Sequence, residues 1–214
     1  MTLTSAARLL NLRNAPSCIR RRPRLPPLLL ITDGDRLPDP THIVSRLPAG
    51  SFVIFRHYQS GERIKLAEAL ASLCRRRRLK FLVGNNARLA FRVRADGVHY
   101  AEAVLTRAQA IHRAAAMRRA WIVTASAHSL PALRRAARFG ADAALLGPVF
   151  KTESHPGRPG LGPIRFANLA RQSPIPVYAL GGITDRNAGR VAGSKASGLA
   201  ALGAFLESGR FWNK

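Results

Sequence analysis

Gly181-Gly182-Ile183-Thr184-Asp185 has the make-up of a phosphate cradle. Its glycines leave backbone N–H groups open to an anion, and Asp185 can cap a following helix. Gly203 offers a further bare amide along the chain. The competing reading of these glycines is a tight turn that needs φ > 0. A second polar run, Thr152-Glu153-Ser154-His155, is followed by Gly157, Arg158, Gly160 and Gly162. Hydroxyls and glycines in that order suit an anion-binding lid, or else an exposed surface loop. At Arg56 a guanidinium can fork onto phosphate oxygens, unless an ion pair with Asp33 or Glu62 occupies it. His128, two residues after Ser126, has an unperturbed pKa of ~6.5 and so can give or take a proton near neutrality. A helix-entry role is its alternative. His99 follows a buried-looking valine and reads as a satisfied core residue, while Asp33, Asp96 and Asp142 read as structural acids.

These residues fall where apolar runs end. Strands are expected over Leu28–Thr32, Phe52–Arg56, Lys80–Gly84, Gly97–Tyr100, Trp121–Ala125, Ala143–Phe150, Val177–Leu180 and Gly198–Leu202. Helical segments are expected between them over Thr41–Leu47, Arg63–Arg77, Ala87–Val93, Thr106–Met117, Leu130–Phe139, Ile164–Gln172 and Asp185–Ala192. In the second of these, Ile64, Leu66, Ala67, Leu70, Ala71 and Leu73 form one apolar stripe. The strand runs are apolar throughout, as parallel strands covered on both faces must be. Strict alternation over eight cycles predicts a small (β/α)8 barrel, whose active face carries the C-terminal ends of its strands.

Composition bounds the rest. Thirty of the 35 basic residues are arginine; with 11 acids they give a formal net charge of +24 and a pI near 11.9. Nonspecific attraction to nucleic acid follows from that charge, but the aromatics, 7% of the chain, do not interleave with the basic residues as a stacking platform would require. The run Arg75–Arg78 closes an expected helix, where cations suit the dipole. Residues 1–25 carry six arginines and no acid and read as a disordered basic arm, separate from a barrel over 26–214. Such an arm also resembles an organelle transit peptide. The longest apolar run, Pro26–Ile31, falls far short of the ~20 residues that span a bilayer. Cys18 and Cys74 form neither a disulfide framework nor a zinc spacing. The expectation is a cytoplasmic protein with no membrane contact; oligomeric state stays open, a homo-oligomer included.

Several motifs then recur in a known order: Leu30-Ile31-Thr32-Asp33, Ala95-Asp96-Gly97-Val98-His99, Ser126-Ala127-His128-Ser129, Gly140-Ala141-Asp142, Leu146-Gly147-Pro148-Val149-Phe150-Lys151-Thr152-Glu153-Ser154 and Pro176-Val177-Tyr178-Ala179-Leu180-Gly181-Gly182-Ile183. Over about residues 27–206 the chain resembles thiamine phosphate synthase and its relative, the thiazole tautomerase. The resemblance implies a small (β/α)8 barrel of thiamine biosynthesis. The synthase is a transferase that joins hydroxymethylpyrimidine pyrophosphate to thiazole phosphate and releases pyrophosphate, with Mg²⁺ on the leaving group. It implies that Arg56, Asn85 and Ser126 face the pyrophosphate, that Thr152 and Ser154 are the hydroxyl pair of the sixth loop, and that Gly182 and Gly203 hold the thiazole phosphate.

Departures from the family pattern are specific. The synthase's Gln-x-Arg-x-Lys is here Ile54-Phe55-Arg56-His57-Tyr58, its Asn-Asp pair is Asn85-Asn86, and its sixth-loop lysine is His155. Its second acidic magnesium ligand aligns with Val104, which leaves Glu102 as the candidate ligand after a register shift. The tautomerase moves a proton to make its thiazole aromatic and needs no such metal pair; the resemblance implies His128 as its acid/base. Three readings stay open: a synthase with an altered metal site, a tautomerase-like phosphate enzyme, and a non-catalytic polyanion binder.

Overall fold

The computed structural model describes residues 2–14, 25–59, 61–105, 121–152, 157, 159–202 and 204–205. Eight parallel strands, β1 (Leu28–Ile31), β2 (Phe52–Phe55), β3 (Lys80–Gly84), β4 (Gly97–Tyr100), β5 (Ile122–Ala127), β6 (Ala143–Leu146), β7 (Val177–Leu180) and β8 (Gly198–Ala201), pair in sequence order. β8 returns to β1 in register Leu28↔Leu199 and closes the barrel. The expected (β/α)8-type architecture is therefore the observed one.

Most strands are apolar on both faces because each face meets a different core; His99 on β4 and Thr124 and Ser126 on β5 are polar exceptions that bond one another. Leu29, Ile31, Phe52, Ile54, Leu82, Ile122, Ala143, Leu145, Tyr178 and Ala200 fill the barrel interior. Their neighbours along each strand point outward against the helices. Near the strand N-termini the Tyr178 hydroxyl donates to the Pro26 carbonyl at 2.6 Å, which satisfies a buried phenol.

Around the sheet lie α1 (Leu3–Asn14), α2 (Thr41–Arg46), α3 (Arg63–Arg76), α4 (Ala87–Arg92), α5 (Leu130–Phe139) and α6 (Gly162–Gln172). α5 shows how local sequence sets such a segment: the Ser129 hydroxyl accepts from the Ala132 N–H, Pro131 sits in the first turn, and Gly140 ends the helix at φ 92°. α3 buries Ala67, Leu70, Ala71 and Cys74, but Ile64, placed on the same stripe by periodicity, is 43% exposed. The expected helix over Thr106–Met117 lies outside the described residues, as does Cys18. The expected helix over Asp185–Ala192 is only a 3₁₀ turn, Ala188–Val191.

The N-terminal segment departs most from expectation. Residues 3–14 form α1, not a disordered arm. Leu3, Ala6, Ala7 and Leu10 recur at i, i+3, i+4 and i+7 and are fully buried, while Arg8 points to solvent. α1 packs on β8 and β1, joining the outer layer of the barrel. The Asn11 amide donates to the Leu25 and Ser197 carbonyls at 3.1 and 3.0 Å, and the Leu3 N–H donates to the Asp185 carboxylate at 2.6 Å. Burial of that stripe outweighs the cost of ordering a basic segment. The arginine-dense stretch Arg20–Arg24 lies outside the described residues.

Candidate active site

A cavity of about 540 Å³ opens among the C-terminal ends of β1, β6, β7 and β8. Arg56 from the end of β2 and His128 from the end of β5 complete its wall, with Thr152 and Gly182. These four sequence candidates meet in one place. Asn85, Ser126 and Glu102 do not line it. Ser154, His155 and Gly203 lie outside the described residues.

The glycine corner is built by backbone conformation. Gly181 and Gly182 both take left-handed φ, 95° and 62°. A Cβ on Gly182 would stand 2.3 Å from the Lys151 carbonyl oxygen, so only glycine fits there. The following turn is pinned by Asn187, whose Oδ1 accepts from the Thr184 N–H and whose Nδ2 donates to the Gly182 carbonyl, both at 2.8 Å. Asp185 does not cap a following helix: its carboxylate holds α1 instead. An anion here meets turn amides, with Arg36, Arg56 and Lys151 as the cations of the same cavity.

Arg56 is set by its backbone. Its N–H donates to the Thr32 hydroxyl at 3.1 Å, and Thr32 also bonds His57 Nδ1 at 3.0 Å. His57 Nε2 donates to the Leu37 carbonyl at 2.9 Å. This buried histidine, stacked on Phe55 at 4.9 Å, ties β2 to the loop after β1. That loop brings Asp33, Asp35 and Arg36 to the cavity. Asp33 also shapes its own turn, accepting from the Asp35 and Arg36 N–H groups. The ion pair anticipated between Arg56 and Asp33 or Glu62 is not seen among the described residues; Glu62 pairs with Lys65. The Arg56 guanidinium stands 6.0 Å from the Tyr58 ring.

His99 and His128 differ sharply. His99 is 2% exposed, with Nδ1 2.9 Å from the Thr124 hydroxyl and Nε2 3.0 Å from the Ser126 hydroxyl. Burial, reinforced by the positive charge of Arg56, pushes its pKa down to about 3, so it stays neutral. Ser126 is thereby held by His99, outside the lining of the cavity. His128 is exposed on the cavity wall, and its Nδ1 donates to the Gly147 carbonyl at 2.5 Å. That bond leaves the lone pair of the neutral ring on Nε2.

The residues at the positions that the resemblance assigns to magnesium are engaged in hydrogen bonds of their own. Asn86 Oδ1 caps α4 by accepting from the Leu89 N–H at 2.9 Å. Asn85 Oδ1 accepts from the Ala101 N–H at 2.8 Å, and its Nδ2 donates to the Tyr58 hydroxyl at 3.2 Å. Glu102, the expected ligand, accepts from the His128 N–H at 3.2 Å and pairs with Arg135. Mg²⁺ favours hard oxygens with one or two carboxylates. Among the described residues no uncommitted carboxylate stands at the ends of β3 and β4, so Asn85, Asn86 and Glu102 do not fit the ion. Among the described residues no three His, Cys, Asp or Glu side chains gather as metal ligands.

A family model described as thiamine monophosphate synthase matches residues 28–205. The chain belongs to this family. A thiamine-phosphate synthase of Chlorobium luteolum is 35% identical over 189 residues, covering 87% of this chain and 88% of that one. Another, from Methanospirillum hungatei, is 30% identical over 186 residues and covers 84% and 89%. The solved thiamine phosphate pyrophosphorylase of Pyrococcus furiosus superposes with a TM-score of 0.71 at 27% identity, covering 85% of this chain and 88% of that one. No helix among the described residues is long and apolar enough to cross a membrane. Asp35 and Arg36 carry no assigned role in the sequence reading, yet they line the cavity. The rule that barrel sites follow strand C-termini would have marked Asp35 and Arg36, which come directly after β1.

Proposed function

We propose that the protein is a phosphate-anchored enzyme of thiamine biosynthesis that carries out proton transfer on a thiazole phosphate, as the tautomerase branch of its family does. The phosphate sits on the Gly181–Gly182 turn and is met by Arg56 and Lys151. His128 Nε2 takes the proton from the ring and returns it where aromatisation requires, while the Gly147 carbonyl fixes the tautomer. One observation carries this reading: Asn85, Asn86 and Glu102 are each committed to internal hydrogen bonds, whereas His128 faces the cavity. In D₂O, wild-type protein should exchange deuterium into the thiazole carboxylate phosphate, and His128→Asn should not. Exchange that persists in His128→Asn would remove the residue from the reaction.

A second reading, synthase condensation of that thiazole phosphate with hydroxymethylpyrimidine pyrophosphate, is favoured by the relatives that bear the synthase name over nearly their whole length. It requires magnesium coordination by residues other than the family's own.

A further inference from the structure

We infer that the pole of the barrel opposite the cavity, where α3 and α4 end and β3 and β4 begin, docks a single-stranded nucleic acid. Arg75–Arg78, Lys80, Arg92 and Arg94 are all exposed there. The Arg75 guanidinium donates to the Val93 carbonyl at 3.2 Å, which joins the two helix ends into one surface. Its acids are already used: Asp96 pairs with Lys80 at 2.8 Å, and Glu68 with Arg92 at 3.2 Å. Arg75, Arg76, Arg77, Arg78 and Arg94 have no carboxylate partner among the described residues. Phe91, in the last turn of α4, is 62% exposed, one helical turn from Arg88. Cations that follow a phosphodiester backbone, together with an open aromatic face, are the two parts of single-strand recognition.

A backbone observation argues independently that these arginines are kept for their side chains. α3, α4 and α5 end in the same closure, in which Leu79 N–H bonds Cys74 O, Ala95 N–H bonds Ala90 O and Ala141 N–H bonds Ala136 O. The left-handed residue of that closure is Gly140 in α5, at φ 92°. In α3 and α4 it is Arg78 and Arg94, at φ 55° and 54°. Glycine takes this conformation without steric cost and arginine does not. Favourable charge at a helix end explains cations in the last turn, but not arginine at the one position where glycine is easier.

The test uses full-length protein and a fluorescein-labelled oligouridine of about 20 nucleotides, read by anisotropy across a salt series. Arg78→Gly/Arg94→Gly should melt higher than wild type and bind about tenfold more weakly at about 100 mM salt, with a log–log salt slope shallower by about 0.7 for each phosphate no longer neutralised. Phe91→Ala should weaken oligouridine binding and leave binding to inorganic polyphosphate unchanged. A control that removes two charges elsewhere, Arg165→Gln/Arg171→Gln, should bind like wild type. Equal losses in the control and the double-glycine variant would overturn the assignment, reducing it to net charge. So would binding to phosphatidylserine vesicles without binding to oligouridine.

Discussion

Leu10→Ala tests whether the N-terminal helix is part of the folded barrel. Leu10 is fully buried between α1 and the β8–β1 seam, whereas its neighbour Leu9 is 40% exposed. Truncating a fully buried leucine removes its transfer energy and leaves a cavity, a loss of about 3 kcal/mol within the usual range of about 2–5. Against a total of about 5–15 kcal/mol for a domain, that is a large fraction. For a chain of about 150–250 residues each kcal/mol moves Tm by about 2–4 °C, so Leu10→Ala should melt about 6–12 °C lower. Leu9→Ala should stay within about 0.5 kcal/mol of wild type. Differential scanning calorimetry of both variants decides it. Equal melting temperatures for the two would show that α1 does not dock on the barrel in solution.

Three further outcomes follow from the site. Gly182→Ala places a Cβ 2.3 Å from a carbonyl oxygen at φ 62°, so phosphate-ligand affinity measured by calorimetric titration should fall at least tenfold; an unchanged value would separate the turn from the anion. His99 binds a proton in the unfolded chain below about pH 6.5 but stays neutral in the fold down to about 3. Its contribution is therefore complete at neutral pH and is lost as pH falls through that window, by about 1.4 kcal/mol per pH unit. Urea unfolding of His99→Asn should show a flatter acid limb, and an identical limb would refute the buried neutral state. Arg56→Ala should raise KM for a phosphorylated thiazole by about tenfold or more through the lost charge-assisted bond, and an unaltered KM would take Arg56 out of the site.

Much of the architecture is legible because each element repeats one local rule. Strands such as Phe52–Phe55 and Val177–Leu180 are short apolar runs that only a doubly covered parallel sheet can bury, and eight of them leave little choice of fold. The N-terminal helix is hard to see in the sequence because its stripe of Leu3, Ala6, Ala7 and Leu10 is thin in leucine and sits beside a dense arginine run. Within the site, strand ends and resemblance lead to Arg56, His128, Thr152 and Gly182. They also lead to Ser126 and Glu102, whose bonds to His99 and to the His128 N–H are not legible there, because sequence shows a side chain's chemistry but not its hydrogen-bond partner. His99 is the satisfied buried residue that its sequence context indicates, but its hold on Ser126 depends on β4–β5 register, which periodicity does not reveal. Phe91 lies between Arg88 and Arg92 in the sequence, but its exposure shows only in the fold.

The central claim is a proton-transfer site without the family's magnesium corner, and one incubation addresses it directly. Purified protein is mixed with hydroxymethylpyrimidine pyrophosphate and thiazole phosphate, with and without Mg²⁺, and thiamine phosphate is followed by mass spectrometry. No thiamine phosphate should form under either condition, from protein that still binds thiazole phosphate. Magnesium-dependent formation of thiamine phosphate at enzymatic rates would contradict it and establish that other oxygens of this rim have taken over the metal.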